Sequence, residues 1–419
     1  MTVPNTRSKR PPRVLFLVEN NPYPQDFRVR REAEELQRRG FQVMAVAPRK
    51  KGQTWRENVN GVDVLRFPAP PPGTGFIGYA IEFGYSTFAM LVLSLWLAVT
   101  RGVDVVHAAN PPDTLVFIAI VLRLFGARSI FDHHDLSPEI YLARNGGNRA
   151  VLGTLKFLER LSLRWADAVI STNESYRAVA LTRGGRTADE VFIVRNGPPL
   201  SYVPLPPDEA LAGRAPFLIG YVGTIGTQDG LDYLVKAADH LVNVMGRKDF
   251  LAVVVGDGDS LADVQCLVDE LRLNGHFHFT GRLDETNSRR TLSAASICVQ
   301  PDPYGLLNDQ STMNKLMEYM ALGKPTVAFD LRETRFSAGD AALYAPPNDI
   351  AVFAQHIAHL FDHPQERERM GAIGRARVET QLAWEHSVPH LLACYAKVLG
   401  QERAVVRAPG LESSANSEP

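Results

Sequence analysis

Cysteine is scarce in this chain. Only Cys266, Cys298 and Cys394 occur in 419 residues. They are widely spaced, odd in number and form no CxxC pair, which excludes a disulfide framework and a zinc site. That usage fits a reducing compartment, so a cytoplasmic location is expected. An excess of one charge is also missing, since the formal net charge is −1. No aromatic residues interleave with a basic patch, so no nucleic-acid partner is expected. No short repeat is visible, which sets solenoids aside. No G-x-G-x-x-G follows the first strand-like run, and Gly256-x-Gly258 lacks a third glycine, which counts against a dehydrogenase. The first apolar run, Val14–Val18, is too short for a secretory signal and reads as a strand.

What the chain does contain is an ordinary globular composition, 45% hydrophobic and 22% charged. Its length suggests two or three domains. The near-neutral total hides an asymmetry: residues 1–51 hold twelve Lys/Arg against five acids. Such charge describes a solvated face, or an electropositive edge that meets anionic lipid or a phosphorylated acceptor. One uncharged segment, Phe83–Val99, reaches the short end of the ~17–25 residues that cross a bilayer. A buried core helix is the first expectation for it, interfacial membrane contact the second, and a span the last.

Short β-branched runs alternate with helical stretches, the pattern of parallel α/β domains. Strands are expected at Val14–Val18, Val43–Ala47, Val62–Phe67, Val103–His107, Ser129–Asp132, Ala168–Thr172 and Val191–Val194. A proline-rich stretch, Asn196 to Pro216, is the candidate linker. A second set follows at Phe217–Val222, Leu251–Val255, His276–Thr280, Ile297–Gln300 and Thr326–Phe329. Two α/β halves are expected to face a central cleft, with ligands at the carboxyl ends of their strands. The expected domains are 1–200, 215–385, a last helix over 386–400, and a disordered tail over 401–419.

The segment richest in chemistry is Ser311-Thr312-Met313-Asn314-Lys315-Leu316-Met317-Glu318-Tyr319-Met320-Ala321-Leu322-Gly323-Lys324-Pro325. Ser311 or Thr312 can cap a helix that Gly323 and Pro325 stop, so a helix is expected over Thr312–Leu322. Its start attracts phosphate through free N–H groups and the dipole. Lys315 in the first turn opposes that dipole, which is odd for stability alone. Asn314, Lys315 and Glu318 share a face, and a carboxylate there can accept two ribose hydroxyls. A surface Lys–Glu pair fits the same spacing, and spacing alone does not separate the two.

This stretch resembles the donor-site helix of glycosyltransferase family 4, retaining enzymes of the GT-B fold, and is most similar to bacterial members with N-K-x-x-E-Y-M-A-x-G-K-P. The resemblance runs from Pro22-Tyr23-Pro24 to the region of Trp384. It implies two Rossmann-like domains, with a C-terminal helix crossing back to the first. It implies that Glu318 binds the donor ribose. Two departures stand out. Gln310 occupies the place of the first glutamate of the family's E-x7-E pair. Thr224 and Asp229 occupy the places of the Arg and Lys that hold the diphosphate in Gly223-Thr224-Ile225-Gly226-Thr227-Gln228-Asp229-Gly230. A diphosphate leaving group needs positive charge, so Lys315 is expected to supply it, with Arg282 a weaker second source.

His133-His134-Asp135-Leu136-Ser137-Pro138-Glu139 follows a strand of the first half. Adjacent histidines in extended chain point to opposite sides and rarely chelate together. The segment also fits plain loop structure, with Asp135 as a cap. The resemblance places His134 against the donor sugar, ahead of Asp135. Asn20 and Asn21 stand where the family carries two glycines, and Asn tolerates φ > 0 better than most residues. Arg28 is expected to touch the acceptor. Gly256, Gly258 and Arg282 end two strands of the second half, where glycine lets backbone approach a ligand and plain turns fit equally.

The resulting expectation is a metal-independent retaining transferase. Its catalytic residues are His134, Lys315 and Glu318. Donor contacts come from Asn20, Asn21, Gly223, Thr224, Gly256, Gly258, Arg282, Gln310, Ser311, Thr312 and Asn314, and acceptor-side contacts from Arg28 and Asp135. The donor is a UDP- or GDP-sugar, with no cofactor and no metal. The acceptor is a glycan or lipid-linked saccharide of cell-surface polysaccharide or glycolipid synthesis, met at the inner face of the membrane. Alternatives are a non-hydrolysing sugar-nucleotide epimerase of the same fold and a catalytically degraded accessory subunit.

Overall fold

The computed structural model describes residues 10–400 except 72, 74, 146 and 212. The expected tail over 401–419, and Arg7 and Lys9 of the basic start, lie outside the described residues. Two compact units result. The first comprises residues up to 138, 147–194 and from 388 on. The second comprises 139–146 and 195–387. The proline-rich stretch beyond Asn196 therefore packs with the second unit. There Tyr202 joins a buried cluster with Leu316, Met317 and Tyr319.

The first unit's strands are β1 (Arg13–Leu17), β2 (Gln42–Arg49), β3 (Arg56–Val59), β4 (Val62–Pro68), β5 (Val105–Ala109), β6 (Arg128–His133), β7 (Ala168–Ser171) and β8 (Val191–Ile193). Their order is β3-β4-β2-β1-β5-β6-β7-β8. All neighbours are parallel except the edge pair β3–β4. Leu15, Leu17, Val46 and Val106 pack against Met90, Leu97, Ile118 and Leu122 of two helices, Gly75–Thr100 and Val116–Arg123. Fully burying each such side chain stabilises by ~1.5–3 kcal/mol. The C-terminal helix Trp384–Val398 contributes to this unit from Val388 onward. Its Tyr395 hydroxyl lies 2.8 Å from His107 Nδ1.

The second unit's sheet holds β9 (Phe217–Val222), β10 (Phe250–Val255), β11 (Phe277–Gly281), β12 (Ile297–Gln300), β13 (Thr326–Phe329) and β14 (Ala342–Ala345). Their order, β11-β10-β9-β12-β13-β14, is parallel throughout. Strands buried on both faces read as unbroken apolar runs, as FLAVVV of β10 does. In both units the strand order reverses beside the first strand, so loops at the carboxyl ends of β1 and β5, and of β9 and β12, diverge there.

The long apolar segment departs from expectation. It forms a 26-residue helix, Gly75–Thr100, rather than a core helix over Phe83–Val99. Only 22% of its most apolar window is buried. Ser86, Met90, Ser94 and Leu97 face inward, while Ile81, Phe88, Val92 and Val99 are exposed by half or more.

Candidate functional site

In the second unit, loops after β9, β10 and β11 are laced by backbone bonds at the strand ends. Gly223 N–H donates to Val255 O at 3.0 Å, and Gly256 N–H to Gly281 O at 3.0 Å. Gly256 has φ 148°, and a Cβ there would sit 1.9 Å from Gly223 O. A Cβ at Gly258 would sit 2.5 Å from Ile225 O. The close approach that these glycines allow is thus to a neighbouring loop. Any side chain at Gly256 would push that loop away from the strand ends.

The helix of the NKxxEY motif starts later than expected, at Asn314, and runs to Ala321. Ser311 and Thr312 do not cap it. The Ser311 hydroxyl donates to Leu307 O at 2.7 Å, and the Thr312 hydroxyl reaches Glu333 Oε2 at 3.5 Å. Met313 occupies the N-cap and makes no side-chain cap bond. The helix start therefore keeps amide donors and the positive end of its dipole. Asn314 Oδ1 is buried beside it with no hydrogen-bond partner among the described residues. Glu318 lies one turn on, half-buried. Tyr319 ties the helix to the sheet by accepting from Val222 N–H at 2.9 Å.

Lys315 is where sequence reasoning needs correction. Its ammonium is buried and lies 2.9 Å from Asp302 Oδ1, 3.3 Å from Asp229 Oδ1 and 3.3 Å from the Tyr221 hydroxyl. Burial disfavours its charge, but Asp302 and the other neighbours outweigh that and raise its pKa, so it stays protonated. Burial pushes the Asp302 carboxyl up to about 6 against the pull of Lys315. One ammonium thus faces two carboxyl groups, and no surplus positive charge remains for a diphosphate. The misfit of a lysine in a first helical turn is resolved the same way, because the aspartates offset its repulsion with the dipole.

The remaining expected residues scatter around this end. Thr224 is exposed, and its carbonyl accepts from the Tyr221 hydroxyl at 2.9 Å. Arg282 is exposed just past β11. Gln310 ends the helix Leu306–Gln310 and donates to Leu306 O at 2.9 Å.

The first unit carries its own cluster at the carboxyl end of β6. His134 Nδ1 lies 3.1 Å from Asp132 Oδ2. Its burial lowers the imidazole pKa, but the Asp132 charge outweighs that and lifts it to about 9, so His134 is a cation at neutral pH. Asp132 is buried, yet the Arg28 guanidinium holds its carboxyl well below the usual range. Arg28 grips it with two bonds, 2.8 and 2.6 Å, lies 3.2 Å from Glu32, and donates to Val194 O at 2.9 Å. The acceptor contact expected of Arg28 is therefore corrected. At 3% exposure, Arg28 has its fork on the carboxylate that also pairs with His134.

Glu32 Oε2 also lies 3.2 Å from His107 Nε2, and burial raises the Glu32 carboxyl to about 7. Glu32, His107 and Asp132 could geometrically surround a cation. The Arg28 guanidinium already supplies positive charge there. Asp135 sits beside this cluster, and burial raises its carboxyl. Asn20 and Asn21 are exposed in a bend, and neither adopts the positive φ expected of them.

Three contributors were missed by sequence reasoning. Asn110 Oδ1 accepts the N–H of both His134 and Asp135, at 3.0 and 3.1 Å, and so fixes their loop. Its signal was a polar residue before Pro111-Pro112 at a strand end. Asp302 carries the same signal after β12. Tyr221 carries none, because a tyrosine within a strand reads as core.

Residues 26–197 match the family described as glycosyl transferase 4-like domain, and residues 216–363 match glycosyl transferases group 1. The 2-deoxystreptamine glucosyltransferase of Streptomyces kanamyceticus is 25% identical over 308 residues, which cover 71% of this chain and 78% of that protein. Among solved structures, a sucrose-phosphate synthase from Thermosynechococcus elongatus superposes with TM-score 0.75 at 20% identity, covering 93% of this chain and 99% of that one. The HepE protein of Anabaena in complex with UDP-glucose superposes with TM-score 0.69 at 16% identity, covering 92% and 99%. At these identities the structural likeness concerns the fold.

Proposed function

The chain is a glycosyltransferase of the family 4-like, GT-B type, and from that premise we propose that it moves a sugar, with retention at the anomeric carbon, from a nucleoside-diphosphate sugar to a glycan or lipid-linked saccharide. The observation that carries the donor assignment is the uncapped helix start at Asn314, with Glu318 one turn along. The amides and dipole of that start hold the diphosphate, and Glu318 accepts the ribose hydroxyls. Arg282, exposed past β11, adds the charge that Lys315 does not. Lys315 keeps Asp229 and Asp302 from repelling the leaving group. UDP is the nucleotide of choice because the similar HepE fold was solved with UDP-glucose.

In the first unit, protonated His134, held by Asp132 and Arg28, offers a hydrogen bond to a saccharide ligand. Three unpaired thiols, one of them exposed, support work in the reducing cytoplasm.

The test is incubation with UDP- and GDP-sugars, with and without saccharide acceptors. Acceptor-dependent release of nucleoside diphosphate that Glu318→Ala lowers supports the reading. Conversion of the donor sugar without acceptor would identify an epimerase instead. Transfer with inversion at the anomeric carbon would remove the retaining assignment.

A further inference from the structure

The most exposed apolar surface among the described residues lies on the helices that cover one face of the first unit's sheet. Along Gly75–Thr100, the exposed positions Ile81, Tyr85, Phe88, Val92, Trp96 and Val99 recur at three- and four-residue steps. They form one continuous stripe, opposite the stripe that packs on the sheet. No charged residue occurs between Glu82 and Arg101. The neighbouring helix Val116–Arg123 ends in Leu124 and Phe125, 85% and 52% exposed. Monomeric proteins rarely leave contiguous apolar area of this kind uncovered.

The next helix on the same face, Arg149–Trp165, says what covers it. Lys156, Arg160 and Arg164 follow one another at four-residue steps and are exposed, with no acidic partner among the described residues. Phe157 and Trp165 stand exposed beside them, at 62% and 45%. One recess joins the ends of the two helices, lined by Arg123, Arg164, Trp165, Arg186, Asp167 and Glu190. Aromatic and aliphatic side chains bordered by unpaired basic residues match the interface of an anionic bilayer. A second copy docked face to face would set the same basic rows against each other. A full span is excluded by Met90 and Leu97, which are buried in the sheet's own core.

We propose that these three helices form a docking face on which the protein lies against an anionic lipid surface, with the apolar stripe at acyl depth and Lys156, Arg160 and Arg164 at the phosphates. This goes beyond the transfer reaction and stands whichever sugar is moved. The experiment is co-sedimentation of the full chain with phosphatidylcholine vesicles, with and without phosphatidylglycerol. Binding is expected only with phosphatidylglycerol, and added salt weakens it. Lys156→Glu/Arg160→Glu/Arg164→Glu should lower the partition coefficient by at least about a hundredfold, on the order of fivefold for each basic residue lost. Phe88→Ser/Leu124→Ser should lower it with the charges intact. Both variants change exposed side chains, and unchanged circular dichroism and unfolding transitions confirm their fold. Equal binding to neutral vesicles, no binding to either, or full binding by both variants would overturn the proposal. So would concentration-dependent self-association in solution that the same substitutions abolish, because a second copy would then own the face.

Discussion

Each unit places a basic side chain between two acids at the carboxyl end of its parallel sheet, yet the two clusters end differently. In the first, Arg28 takes up Asp132 and Glu32, and a second cation, His134, remains at the rim. In the second, Lys315 takes up Asp229 and Asp302, and among the described residues no second cation pairs with those two acids. The first cluster therefore keeps a protonated side chain at its rim, while the second buries its own. A lysine in a phosphate-binding motif contributes to binding only if its partners leave it a surplus. That depends on residues 13 and 86 positions away in the chain.

The largest effect should come from breaking the second cluster. Lys315→Ala leaves two carboxyl groups beside each other without a counter-charge. It should destabilise the protein by ~3–5 kcal/mol, read from urea unfolding at neutral pH. A loss below ~1 kcal/mol would mean that water already solvates the aspartates.

The first cluster is sharpened by pH. The His134 pKa is raised in the folded state, from 6.5 to about 9. Its contribution is thus fully present below about pH 6.5 and is lost as pH rises through about 9, on the order of 3 kcal/mol in all. Asp132→Asn should flatten that part of the stability–pH curve. It should also bring the alkaline limb of turnover down toward the ordinary histidine range. An unmoved limb would detach His134 from Asp132.

A smaller effect is expected where the second unit meets its ligand. Glu318→Ala removes hydrogen bonds to a charged group, worth about 1.5–3 kcal/mol. It should lower kcat/KM for the nucleotide sugar by about 10- to 100-fold. The smallest is Asp229→Asn. Removing one negative charge near the helix start is worth on the order of 1 kcal/mol, so KM for the donor should fall about fivefold. A rise in KM would show that Asp229 helps to hold the donor.

Much of the fold was legible because most strands are buried and leave short apolar, often β-branched runs, and twelve expected strands matched twelve of the fourteen. The two missed strands are edges. β3 reads RENV and pairs antiparallel on one side alone, and β14 is the short ALYA. The motif helix was legible, but its start was not. Ser311 and Thr312 have the chemistry of caps, yet Leu307 O and Glu333 take their hydroxyls. The exposure of Gly75–Thr100 was illegible for a different reason. The helix is apolar on both faces, so composition gives no sign of which one is covered. Arg28 was legible as a functional residue, but not as buried, because Asp132 lies 104 residues away.

The most direct test of the second unit's role uses Lys315→Met/Asp229→Asn/Asp302→Asn, which removes every charge of the buried cluster at once. Calorimetric titration with UDP should give an affinity within about threefold of wild type, or tighter, since neutralising the whole cluster removes one net negative charge from the helix start. An affinity loss of tenfold or more in a variant that still unfolds cooperatively would show that Lys315 itself grips the diphosphate, and would contradict the account.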